Sequence, residues 1–243
     1  MFMTWIKVCG ITNVQDAQAA VDAGADALGF VFAPSTRQVL PATARAIAAS
    51  VPSQIEKIGV FVDERLEHVL DTVVDAGLTA VQLHGSEPLE YSRELARRFA
   101  GLSSPVKMIR AAQMPALKNG RGEALGWDPV DAGVVEVDAH TAEPRPGVFV
   151  AVLLDSRGTE LQAGGTGKNF DWHHSRTVAG FIAGWAKLIV AGGLHPGNVA
   201  EAIATLHPWG VDVSSGVEQS PGKKDHEKVK AFIQAVRSVE HRL

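Results

Sequence analysis

With 243 residues, the chain is long enough for one large α/β domain or two small ones. A formal net charge of −4 leaves no basic footprint for nucleic acid, and no apolar run approaches the ~18 residues that span a membrane. The single cysteine excludes an internal disulfide and a cysteine-rich metal site, and the opening MFMTWIKVCG lacks the charged and apolar regions of a signal peptide, so the expected location is cytoplasmic.

Short β-branched runs alternate with helix-like stretches along the chain. A strand at 5–9 leads to a helix at 14–23 that Gly24 closes. A strand at 27–32 leads to a helix at 41–50 with Pro41 in its first turn. Strands at 55–62 and 79–83 precede helices at 64–76 and 88–100, and a fifth strand is expected at 106–109. Further on, strands at 149–154, 186–190 and 211–213 are followed by helices from about 171, at 196–206 and at 225–239.

The repeat is also written in the letters. Val21-Asp22-Ala23-Gly24 recurs as Val74-Asp75-Ala76-Gly77 and as Val130-Asp131-Ala132-Gly133. Eight strands, most followed by a helix, in a chain of about 250 residues point to an α/β fold, a single-domain (β/α)8 TIM barrel; a doubly wound open sheet is the alternative. One domain over 1–243 is expected, with room for an insertion around 111–148. That segment reads either as a fifth helix plus an insertion or as an extra strand pair.

In a barrel the chemistry sits at the C-terminal ends of the strands. Those ends read Cys9, Phe32 with Arg37 beyond it, Val62, His84, Arg110, Asp155, Gly192 and Ser214. A thiol, an acid, an imidazole and two guanidiniums at one rim favour an enzyme over a scaffold. Asp155 ends the run VLLDS, just before the glycine-dense GGTGKNFDW. Gly192-Gly193 after the seventh strand and Ser214-Ser215-Gly216 after the eighth are small enough for backbone N–H groups to approach an anion. Two such loops in the last two units point to a phosphorylated ligand. Lys7 shares a face with Cys9, and Asp212 shares one with Ser214. Strands one and eight become neighbours on closure, which predicts a buried Lys7–Asp212 pair. His140, His173, His174 and His207 form no metal-ligand pattern.

Several segments resemble the phosphoribosylanthranilate isomerase family of tryptophan biosynthesis. They are KVCGIT, GFVFAPSTR, IGVFVDE, VQLHGSE, LLDS, GGTGKNFDW, IVAGGLHPGNV and GVDVSSGVEQSPGKKD, in the family's order and over nearly the whole chain. The resemblance implies an Amadori rearrangement of N-(5-phosphoribosyl)anthranilate, with no metal and no organic cofactor. It also implies Cys9 as general base, Asp155 as general acid and Arg37 as the holder of the anthranilate carboxylate. His84 would line the sugar pocket, orient a neighbour or be purely structural, and Phe32 and Pro34 would offer apolar surface to the aromatic ring. Gly165 would join the phosphate contacts, and the loop 158–168 would close over substrate. A nearby cation is expected to lower the Cys9 pKa, and Asp155 is expected in the less hydrated position. The expected partner is a small phosphorylated substrate, with no nucleic acid and no membrane, bound by a monomer or homodimer. Three rivals stay open. One is a histidine-pathway Amadori enzyme, for which two aspartates would be expected where this chain has Cys9 and Asp155. The others are a Schiff-base aldolase using Lys7 and a non-catalytic phosphate-ligand binder.

Overall fold

The computed structural model describes residues 3–113, 135–137, 144–155, 176, 179–180 and 182–240. Its centre is a closed barrel of eight parallel strands. In chain order these are β1 (Trp5–Cys9), β2 (Ala27–Val31), β3 (Glu56–Phe61), β4 (Ala80–Leu83), β5 (Lys107–Gln113), β8 (Ala151–Asp155), β9 (Lys187–Ala191) and β10 (Gly210–Val213). Between β5 and β8, among the described residues, lies an antiparallel pair, β6 (Val135–Val137) and β7 (Pro144–Pro146); residues 114–134 and 138–143 lie outside the described residues. After β10 come the short strands β11 (Glu218–Ser220) and β12 (Lys223–Lys224). Among the described residues, the α-helices of eight or more residues are α1 (Val14–Ala23), α2 (Pro41–Ala49), α3 (Leu66–Ala76), α4 (Leu89–Ala100), α5 (Val199–Leu206) and α6 (His226–Glu240).

Local chemistry accounts for the helix bounds. The Asn13 side chain accepts from the Asp16 N–H at 2.8 Å and starts α1, while Gly24, at φ 104°, ends it with its N–H turned back to the Ala20 and Val21 carbonyls. Pro41 opens α2, where its missing N–H costs nothing.

Burial on both faces makes each strand close to continuously apolar. Outward residues such as Val8, Leu28, Phe30, Val81 and Val211 pack under the helices in one large core. Inward residues, among them Trp5, Ala27, Ile58, Ala80, Ile109 and Leu153, fill the barrel as a second core. The barrel closes where β1 meets β10, with Lys7 opposite Asp212.

The fifth barrel strand runs further than the sequence suggests. It reaches Gln113, and β8 holds it in register to the end, with Gln113 opposite Asp155. Arg110 is therefore not at a strand end. It follows the inward Ile109, so its side chain leaves the barrel interior and pairs with Glu87 at 2.8 Å.

Candidate functional site

Period-2 alternation carries three inward series to the same end of the barrel: Trp5–Lys7–Cys9 on β1, Ala80–Gln82–His84 on and just beyond β4, and Ala151–Leu153–Asp155 on β8. Each series begins apolar at the bottom and turns polar toward the mouth. β1 and β8 are not neighbours. Strands β10 and β9 lie between them on one side, and β2, β3, β4 and β5 on the other. Cys9 and Asp155 thus stand on separate parts of one rim. Both are buried, Asp155 at 4 % exposure and Cys9 at 8 %.

Lys7 lies one layer below Cys9 and is wholly buried. Its ammonium donates to Asp212 Oδ2 at 3.0 Å and to Gln82 Oε1 at 2.9 Å, which is the expected pair with a third member added. Gly29 makes room for this arrangement. A Cβ there would lie 2.7 Å from Cys9 Sγ and 2.9 Å from Lys7 Cε. Burial penalises the charge on Lys7, but Asp212 and then Cys9 outweigh it, and the Lys7 pKa is raised. For Cys9 the balance falls the other way. Burial pushes the thiol up, the Lys7 ammonium opposes this, and burial wins. The expected lowering by a nearby cation operates, but it is the smaller effect.

Arg37 lies beyond β2, beside the end of β1. A Cβ on Gly10 would sit 2.6 Å from Arg37 Cδ and 3.2 Å from Ser214 Oγ. The Arg37 guanidinium makes a two-pronged contact with Glu218, from Nε at 2.8 Å and from Nη2 at 2.7 Å. Glu218 also accepts from Lys224 Nζ at 3.0 Å, and Lys224 donates to the Ser214 carbonyl at 3.2 Å. Burial holds the Lys224 pKa below its ordinary value, against the opposing pull of Glu218 and Cys9. Sequence reasoning left Glu218 and Lys224 without a role. Their only signal was membership of the segment GVEQSPGKKD.

The two glycine loops meet. Gly192, Gly193, Ser214, Ser215 and Gly216 line one small cavity, with Asp212 also in its wall. A Cβ on Gly216 would fall 1.9 Å from the Leu194 carbonyl oxygen, so the loops after β9 and β10 touch through backbone. Asn198 braces the first of them, accepting from the His195 N–H at 2.8 Å and donating to the Gly193 carbonyl at 3.1 Å.

His84 completes the rim. Its Nδ1 contacts Gln82 Nε2 at 2.8 Å, and its Nε2 lies 3.5 Å from Asp155 Oδ2. Cys9, Arg37, His84, Asp155 and the two glycine loops therefore gather at one mouth. Gly165, the loop 158–168 and the repeat copy at 130–133 lie outside the described residues. Among the described residues no helix is long and apolar enough to cross a membrane.

The sequence profile of the N-(5'-phosphoribosyl)anthranilate isomerases matches residues 6–134 and 127–235. The chain belongs to this family. It is 40 % identical to the N-(5'-phosphoribosyl)anthranilate isomerase of Oceanobacillus iheyensis, covering 96 % of this chain and 97 % of that one. Identity to the family member from Symbiobacterium thermophilum is 42 %, covering 97 % and 99 %. The barrel superposes on the crystal structure of phosphoribosyl anthranilate isomerase from Thermotoga maritima with a TM-score of 0.76 and 38 % identity, covering 97 % of this chain and all of that one. A second isomerase structure, in complex with reduced 1-(o-carboxyphenylamino)-1-deoxyribulose 5-phosphate, matches with a TM-score of 0.74 and 36 % identity over 97 % of this chain and all of that one.

Proposed function

We infer that Cys9 and Asp155 are the base and acid with which this chain isomerises N-(5'-phosphoribosyl)anthranilate in tryptophan biosynthesis. The observation that carries the reading is a thiol at the end of β1 and a buried carboxyl at the end of β8, opening on one mouth of a family barrel.

The proton balance is simple. Asp155 gives its proton to the ring oxygen, the C1–O bond breaks, and the nitrogen lone pair forms a C1=N iminium. Cys9, as thiolate, removes the proton from C2. The C–H electrons become the C1=C2 bond, and the iminium nitrogen takes back its pair. The enolamine gains a proton at C1 and loses one from the C2 hydroxyl to give the ketone. Cys9 ends protonated and Asp155 ionised, so the pair must exchange one proton before the next turnover.

The other residues hold the sugar in place for these steps. The loops at Gly192–Gly193 and Ser214–Gly216 take the phosphate, with Gly165 as a further contact. Arg37 takes the anthranilate carboxylate through the part of its guanidinium that Glu218 does not occupy. Binding energy at the two ends of the substrate then positions C1 and C2 between acid and base. The partner is a small phosphorylated sugar, and the proposed setting is the cytoplasm.

A fluorescence assay tests the reading. The protein is expected to consume the anthranilate aminoaldose and to leave the histidine-pathway aminoaldose unchanged. Turnover of the second substrate alone would overturn it.

A further inference from the structure

We propose that Gln82 is a positioning residue that sets His84 in the tautomer carrying its hydrogen on Nε2, so that His84 donates to Asp155. The inference rests on the assignment of Asp155 as the general acid.

The first constraint is the charge on Lys7. An ammonium has three donors and no acceptor. The Lys7 ammonium is held to Asp212 at 3.0 Å and to Gln82 at 2.9 Å in the barrel interior. The atom of Gln82 that meets it must therefore be the carbonyl oxygen, since turning the amide would set NH2 against NH3+. Gln82 is 1 % exposed, so water offers no alternative partner. With Oε1 committed to Lys7, the NH2 group faces upward and meets His84 Nδ1 at 2.8 Å. A nitrogen that meets an NH2 group at that distance must accept. The ring hydrogen then belongs on Nε2, which lies 3.5 Å from Asp155 Oδ2. Each choice forces the next, from a charge on β1, through an amide on β4, to a carboxylate on β8.

The chemical consequence follows from the acid's task. Asp155 starts the reaction neutral and becomes an anion as the ring opens. A donor fixed at Oδ2 gains strength as that charge develops, so it favours the transition state over the bound ground state. A separation of 3.5 Å is long for a hydrogen bond to an anion, and shortening is expected once substrate is bound. The amide conveys orientation and not a proton, because it has no titratable group. The sequence placed Gln82 and His84 on one face. It could not show that Lys7, 75 residues away from Gln82, decides which end of the amide faces His84.

Long-range proton–nitrogen correlation spectra of protein labelled with 15N-histidine read the tautomer directly and need no catalysis. The His84 signal, assigned by its loss in His84→Asn, is expected to show hydrogen on Nε2 in the wild type. In Gln82→Glu, where the amide becomes an acceptor, hydrogen is expected on Nδ1. His84→Gln places an amide NH2 near the original Nε2 position and is expected to stay within about threefold of wild-type kcat. His84→Asn is too short to do so and is expected to lose about 10- to 100-fold in kcat, with KM changed less. Wild-type hydrogen on Nδ1, or a wild-type kcat in His84→Asn, would overturn the proposal. Hydrogen that stays on Nε2 in Gln82→Glu would also overturn it. Should that variant fail to fold, Gln82→Met, which leaves Nδ1 without its donor, is expected to show hydrogen shared between both ring nitrogens, and hydrogen on Nε2 alone would overturn the proposal. Absence of wild-type turnover would instead count against the isomerase reading, which the spectrum does not touch.

Discussion

Cys9 stands between two opposed influences, and which one dominates governs how the base behaves. Burial raises its pKa, and the Lys7 ammonium beneath it lowers it by a smaller amount. Cys9 is the chain's one cysteine, so thiol chemistry reports on it alone. The rate of iodoacetamide alkylation against pH is expected to titrate above the ordinary value of 9.0 in the free enzyme. In Lys7→Met paired with Asp212→Asn, which removes both charges together, the midpoint should move higher still, because the largest lowering influence is gone. A midpoint that stays put or falls would show that losing the Asp212 carboxylate, which raises the thiol, matches or outweighs losing Lys7. Arg37 gives a second prediction at this scale. Arg37→Lys keeps the charge and loses the planar fork, so KM should rise about tenfold to a hundredfold with a smaller change in kcat, as expected for a charge-assisted contact. An unchanged KM would remove Arg37 from substrate binding. Cys9, Asp155 and the Lys7–Asp212 pair were legible in the sequence because strand periodicity and barrel closure place them. Glu218 was not, since its contact with Arg37 joins residues 181 apart and no local pattern announces it.

At the scale of elements, the loops after β9 and β10 are the part of the site least tolerant of change. The Leu194 carbonyl oxygen occupies the place where a side chain on Gly216 would begin. Gly216→Ala must push one loop away from the other and is expected to cost about 1–3 kcal/mol of stability. Urea unfolding measures that cost, and titration with inorganic phosphate should show weaker binding in the variant. A fully stable Gly216→Ala with wild-type phosphate affinity would mean that the loops need not touch. Helix ends were readable from Gly24 and Pro41, where the signal is local. The end of β5 was not. Ala111, Ala112 and Gln113 have weak strand preference, and what holds them extended is the ladder to β8, a tertiary fact. Placing the strand end at Ile109 brought Arg110 into the mouth; the register turns it outward to Glu87.

On the scale of the whole molecule, the barrel is held shut by charge as well as by apolar packing. Arg37 follows β2, and Glu218 and Lys224 follow β10, so their cluster ties the units on either side of β1. Burial disfavours the Glu218 carboxylate, yet the hydrogen bond from Arg37 and the charge of Lys224 outweigh it, and its pKa lies below the ordinary 4.5. A depressed folded value stabilises the protein above the unfolded pKa. That contribution is lost as the pH falls below 4.5 and through the folded value. Glu218→Gln should therefore be less stable than wild type at neutral pH, with a shallower loss of melting temperature on acidification. Parallel acid limbs in the two proteins would contradict this. The overall architecture was legible because eight strands, most followed by a helix, repeat the same alternation, and a repeated pattern survives errors in any one unit.

Turnover of N-(5'-phosphoribosyl)anthranilate by Cys9→Ser and Asp155→Asn decides whether this thiol and this carboxyl do the chemistry. Binding of the reduced product analogue should be measured on the same preparations. Each variant is expected to lose about a hundredfold to ten-thousandfold in kcat. Analogue affinity should stay within about threefold of wild type, because neither change touches the contacts at the two ends of the ligand. Wild-type kcat in either variant, or loss of binding in step with loss of rate, would contradict the assignment of base and acid.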